Sequence, residues 1–195
     1  QALSYALDKA GISSDQLDYV FAGDLLNQCI ATSYSLRAQN APFFGLYGAC
    51  STMAEGMSLA AMLVDGGFAS YAAALTSSHF CSAERQYRNP LEYGGQKPPT
   101  AQWTTTGSGA VRKGTGPFIT HVTTGKVVDK GITDANNMGA AMAPAAYATL
   151  HAHFEETGRS PDFYDLIVTG DLGSLGKEIV TDFFQRDGID LRSRY

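Results

Sequence analysis

Hydrophobic and polar positions alternate in a pattern that occurs twice along the chain. Leu3 to Leu25, LSYALDKAGISSDQLDYVFAGDL, aligns without a gap on Leu150 to Leu172, LHAHFEETGRSPDFYDLIVTGDL. Gly11 falls on Gly158, Ser13 on Ser160, Asp15 on Asp162 and Asp18 on Asp165. Gly23-Asp24-Leu25 falls on Gly170-Asp171-Leu172. Each copy begins with apolar residues at helical spacing and reaches a glycine that can adopt the left-handed C′ conformation. A Ser/Asp turn follows, then an apolar run, Tyr19–Ala22 or Leu166–Thr169. Short apolar runs between turn signals read as buried strands of a parallel sheet. Each copy is therefore helix, turn, strand, with Gly-Asp-Leu at the strand's C-terminal end, where open α/β sheets bind ligands.

Between and after the copies the pattern predicts a helix over 27–40, broken at Ala41-Pro42, and a short strand from Phe43 to Tyr47. Gly48-Ala49-Cys50-Ser51 then leads into a helix carrying Met53, Met57, Ala60, Ala61 and Val64, ended by Gly66-Gly67. Ser70–Thr76 reads as a strand with Ser77-Ser78-His79 at its end. Residues 80–104 have no period, and an irregular stretch of that length inside a compact domain is often functional. Thr106–Arg112 and Ile119–Val128 read as neighbouring antiparallel strands. Residues 144–157 read as a helix with Pro144 in its first turn, and Leu175–Arg186 as the last helix. The duplication assigns 1–115 to most of one half and 116–195 to the start of a second. Both copies read as incomplete, so the simplest reading is a piece of a longer chain.

The 195 residues are 44% hydrophobic and 17% charged, enough apolar content for a packed core. The net charge of -5 argues against nucleic acid, which needs a basic face. No apolar run approaches the roughly 18 residues of a membrane span, and no signal-peptide pattern follows Gln1. Cys29, Cys50 and Cys81 form no pairing pattern, which fits a reducing compartment better than a disulfide framework. His151 and His153 have no zinc-type ligand spacing around them, and the sequence calls for no metal.

Cys50 is the foremost chemical candidate. Between a buried strand and a helix start it occupies a nucleophile-elbow position, where backbone N–H groups and the helix dipole favour a thiolate. A buried, inert cysteine is the alternative. Ser77, Ser78 and His79 could donate hydrogen bonds to a carboxylate, or simply cap the next segment. Arg85, Arg88 and Lys97 could meet a dianion, Arg by a two-pronged contact, or solubilise a long loop. Asp24 and Asp171 fit turn and cap roles better than cation binding. Tyr93 and Trp103 could stack on an aromatic ligand but fit packing better. His121, His151 and His153 are assigned to structure or surface.

Gly48-Ala49-Cys50-Ser51 before an alanine-rich helix is similar to the nucleophile motif of the thiolase and ketoacyl-synthase superfamily, and Gly107-Ser108-Gly109-Ala110-Val111 resembles its glycine-rich strand. The resemblance implies an α/β, thiolase-like duplicated fold of βαβ-type halves, layered α-β-α-β-α and incomplete at both ends here. More specifically, AGDLLNQ at 22–28, residues 76–98, TAQWTTTGSGA at 100–110, ITDANNMGAAMAPAA at 132–146 and VTGDL at 168–172 resemble the stage V sporulation protein AD (SpoVAD) family. That resemblance implies dipicolinic acid binding and uptake into the forespore, at the spore inner membrane and with other SpoVA proteins, without acyl transfer, and the thiolase-like fold implies a homodimer. No cofactor is implied, although calcium accompanies dipicolinate in spores. In the superfamily a catalytic histidine follows the strand equivalent to Leu166–Thr169. Here Gly170–Gly176 contains none. The rivals are an active acyltransferase using Cys50, with His79 or His121 as substitute bases, and a structural partner in a membrane complex.

Overall fold

The computed structural model describes residues 1–79, 99, 100, 102, 106–112 and 116–195. They fall into two compact units, bounded as Gln1–Arg88 with Thr104–Thr120 and as Asn89–Trp103 with His121–Tyr195.

In the first unit, α1 (Ala2–Ala10) ends at Gly11 with φ 65°, a left-handed cap. Ser13, extended, opens a 3₁₀ turn over Ser14–Gln16, where Ser13 N–H donates to the Gln16 side chain at 2.9 Å. The chain then enters β1 (Tyr19–Asp24), α2 (Ile30–Leu36), β2 (Phe43–Gly45), α3 (Thr52–Asp65), β3 (Ala72–Ser78) and β4 (Gly107–Arg112). The sheet order is β2-β1-β3-β4. β1 runs parallel to β2 and β3, and β4 runs antiparallel to β3. The expected helix over 27–40 is shorter, because Gln28 and Cys29 hold φ of 60° and 56° and delay its start.

Alternation along the strands sorts the core into two faces. Val20, Ala22, Ala73 and Leu75 pack with Leu3, Leu7 and Leu36, the α1 and α2 side. Phe21 and Ala72 pack with Leu59, Ala60 and Leu63 of α3. Gly56 lets α3 approach closely, since a β-carbon there would lie 3.2 Å from that of Ala74.

The second unit repeats the first copy's opening. α4 (Met138–Thr157) ends at Gly158 with φ 64°, and Ser160 opens a 3₁₀ turn over Pro161–Phe163. α5 (Gly173–Arg186) follows. Ala143, Phe154, Ile167, Leu172, Val180, Phe184 and Leu191 form its core. α4 starts six residues before the expected position. Asn137 accepts from Ala140 N–H at 3.2 Å and caps it there. Pro144 therefore lies buried inside the helix, where it forgoes one backbone bond.

Two expected strands do not form ladders among the described residues. Ile119–Val128 lies outside any sheet, with Val127 96% exposed. Leu166–Thr169 keeps its alternation, with Ile167 buried but Leu166 and Val168 69% and 75% exposed. An apolar run becomes a strand only when neighbours supply a ladder. The first copy finds β2 and β3, whereas no described strand flanks the second.

His153 of α4 binds two other segments, Nδ1 to Thr123 Oγ1 at 2.8 Å and Nε2 to Tyr164 Oη at 2.6 Å. Burial, then the charges of His121 and Arg159, hold its pKa below the usual histidine value. A depressed histidine favours the neutral folded form, so its contribution is complete above the ordinary value and lost as pH falls through the folded one. Urea midpoints of the protein should therefore drop between neutral pH and the mildly acidic range. His153→Gln should flatten that part of the profile. A profile identical to wild type would show that this imidazole does not carry the dependence.

Candidate functional site

The C-terminal ends of the three parallel strands share one edge of the sheet, and β4, running the other way, begins there. After β2, Ala49–Ser51 form a 3₁₀ turn that runs directly into α3. Ala49 takes φ 50°, a left-handed conformation that costs a residue with a β-carbon about 1 kcal/mol. The turn is held by its own polar groups. Ser51 Oγ donates to Gly48 O at 2.8 Å, and Gly48 N–H donates to Thr52 Oγ1 at 3.2 Å. A β-carbon at position 48 would lie 2.3 Å from Ser51 Oγ and 2.9 Å from Glu55 Oε2, so both side-chain tips would have to swing aside and Ser51 would lose its bond to Gly48 O.

Below the turn, Thr52 is 2% exposed. A β-carbon on Gly23 of β1 would meet Leu46 O at 2.0 Å and Thr52 Cγ2 at 2.7 Å. The cysteine turn is thus seated on a bare strand. Cys50 itself is exposed and not in a disulfide. A thiol at the mouth of a helix, on the ligand edge of a sheet, can act as a nucleophile or line a site.

The other predicted residues divide. Ser77 and Ser78 end β3, and His79 follows them, exposed. Alternation sends Ser78 to the α3 face and Ser77 to the α1 and α2 face, in register with Asp24. Arg85, Arg88 and Lys97, with Tyr93 and Trp103, lie outside the described residues. Asp24 is buried and accepts from Leu26 N–H at 2.7 Å and from Thr32 N–H at 2.8 Å, besides the Thr32 hydroxyl. It ties the end of β1 to the first turn of α2. Asp171 accepts from Gly173 N–H at 2.9 Å and turns the chain into α5.

Two contributors escaped the sequence reading. Thr52 carries a pattern signal, a hydroxyl residue at the start of an apolar helix. Cys29 carries none. It is buried, and its thiol donates to Leu46 O at 3.2 Å, linking the β1–α2 loop to the strand end before Cys50. Among the described residues no group of three or more His, Cys, Asp and Glu side chains is arranged to hold a metal. Nor is any described helix long and apolar enough to cross a membrane.

Comparison with solved structures shows the thiolase-like fold. The 3-oxoacyl-[acyl-carrier-protein] synthase III from Aquifex aeolicus VF5 superposes with a TM-score of 0.63 at 14% identity, over 95% of this chain and 63% of that one. The corresponding synthase III from Pseudomonas aeruginosa PAO1 gives 0.63 at 16% identity, over 94% and 62%. At sequence level, stage V sporulation protein AD of Bacillus subtilis (strain 168) is 50% identical across the whole chain. The chain spans 58% of that relative's length. The family model for stage V sporulation protein AD (SpoVAD) matches residues 1–195, and the chain belongs to that family.

Proposed function

We propose that the protein binds dipicolinic acid beside Cys50 and does not transfer acyl groups. The observation that carries this reading is a combination of retention and loss. The cysteine turn of a condensing enzyme is kept, seated on Gly23 and Thr52. The Gly170–Gly176 segment, where the superfamily resemblance calls for a histidine, has none. A thiol without its proton shuttle makes a poor acyl carrier but can still line a pocket. The family's name supports a role in sporulation. Uptake of dipicolinate into the forespore, at the spore inner membrane beside other SpoVA proteins, is the process proposed here, with a homodimer as the working assembly. Arg85, Arg88 and Lys97 are proposed as counter-charges to the two carboxylates, with Ser78 and His79 as hydrogen-bond donors.

Calorimetric titration of the full-length protein with dipicolinate, with and without calcium, tests this. Saturable binding is expected, weakened roughly ten- to hundredfold by Arg85→Gln, since a charge-assisted bond contributes about 1.5–3 kcal/mol. Absence of saturation at millimolar ligand would refute the reading.

The synthase-type fold and the exposed Cys50 favour one rival, an active acyltransferase. It requires Cys50 to become acylated by an acyl-coenzyme A at neutral pH. A thiol no more reactive than ordinary cysteine would exclude it.

A further inference from the structure

Strand alternation decides which hydroxyls share Cys50's side of the sheet. Ala72 and Ala74 of β3 pack toward α3, whereas Ala73 and Leu75 pack toward α1 and α2. The period of two carries Thr76 and Ser78 to the α3 face and Ser77 to the other. β4 agrees with this assignment. Gly109 pairs with Thr76, and a β-carbon on it would lie 3.1 Å from Met53 Cε of α3. Gly107 pairs with Ser78, and a β-carbon there would meet no described atom within 4 Å. Met53 stands three residues after Cys50, through the 3₁₀ turn and into the first turn of α3, and residues so spaced lie on one side of a helix.

We infer that Thr76 is a specificity-determining residue of the Cys50 site. Its hydroxyl offers a hydrogen bond to a carboxylate on the face that Ser78 shares, and among the described residues Gly107 leaves room for a flat ring against β4. Ser77 has no part in the site. This rests on the dipicolinate reading for the occupant, while the face assignment rests on register and packing.

The test titrates dipicolinate into four full-length proteins: wild type, Thr76→Val, Gly107→Val and Ser77→Ala. Thr76→Val keeps shape and should weaken binding roughly ten- to hundredfold, the value of one hydrogen bond to a charged group. Gly107→Val suits a strand and should fold normally, yet abolish saturation by filling the ring's space. Ser77→Ala should bind within about twofold of wild type, as a residue without a ligand contact. Thermal midpoints check that each variant folds. Wild-type affinity in Thr76→Val, or a loss in Ser77→Ala equal to that in Thr76→Val, overturns the inference and leaves the dipicolinate reading standing, and wild-type affinity in Gly107→Val overturns the placement of the ring. If wild type does not bind dipicolinate, that reading fails, and thiol bridging decides the face assignment. A short bifunctional maleimide should then join Cys50 to the thiol of Gly107→Cys, as seen in the bridged peptide's mass, and not to that of Ser77→Cys. The reverse result overturns it.

Discussion

Replacing Gly23 by alanine should lower the thermal midpoint by about 10 °C, although it adds only a methyl group. The new carbon would stand 2.0 Å from Leu46 O, and a carbonyl in the chain between β2 and the cysteine turn cannot rotate aside as a side-chain tip can. Thr52 Cγ2, at 2.7 Å, blocks the other direction. Overpacking of a tight core costs about 1–3 kcal/mol, and a backbone clash belongs at or beyond the upper end. For a chain of this length each kcal/mol moves the midpoint by about 2–4 °C. Leu46 N–H also donates to Ala22 O at 2.8 Å, so pushing Leu46 away breaks the parallel pairing it extends. The same displacement should alter the rate at which iodoacetamide labels Cys50, because the turn rests on this contact. A Gly23→Ala protein with unchanged midpoint and unchanged labelling would mean that the turn is not keyed to β1.

How much of this was legible beforehand depended on whether the determining interaction was local. The duplication was readable because each copy writes the same backbone events into neighbouring residues. Gly11 and Gly158 do take left-handed caps, and Ser13 and Ser160 do open matching 3₁₀ turns. The strand before Cys50 and the helix after it follow from the same local signals, but the strand is only Phe43–Gly45 and, at the edge of the described sheet, leaves Phe44 49% exposed rather than buried. Leu166–Thr169 has a strand's sequence but no ladder among the described residues, because a ladder is a property of two segments and one segment's sequence cannot show whether a partner is beside it. Pro144 was misplaced because proline signals a first turn on average, while Asn137 supplies the actual cap. At the site, the elbow around Cys50 was legible as strand, small residues and helix. The side of the sheet on which Ser77 and Ser78 fall needed the register with Asp24 and Gly107, which no local pattern contains.

Gly139→Ala sets two general rules against each other, and sterics should win. Alanine in a helix is favoured over glycine by about 1 kcal/mol, so propensity alone predicts a more stable protein. Gly139, however, lies in the first turn of α4, and its added carbon would stand 2.1 Å from Leu172 O and 3.2 Å from Gly176 Cα. The approach is mutual, since a β-carbon on Gly176 of α5 would fall 2.9 Å from Gly139 Cα. Two helices this close leave no side-chain tip to bend away, and both backbones must separate. That movement loosens Ala143 and Val180, fully buried on the same two helices, and Leu172 beside them. With the clash at the upper end of the roughly 1–3 kcal/mol range and the propensity gain subtracted, a net loss of about 2 kcal/mol is expected, seen as a lower urea midpoint of the full-length protein. Gly176→Ala should cost a similar amount. Because one separation relieves both clashes, the double variant should be less destabilised than the two single effects added together. A gain of about 1 kcal/mol in Gly139→Ala would show that the helices are not in backbone contact and that propensity governs the site.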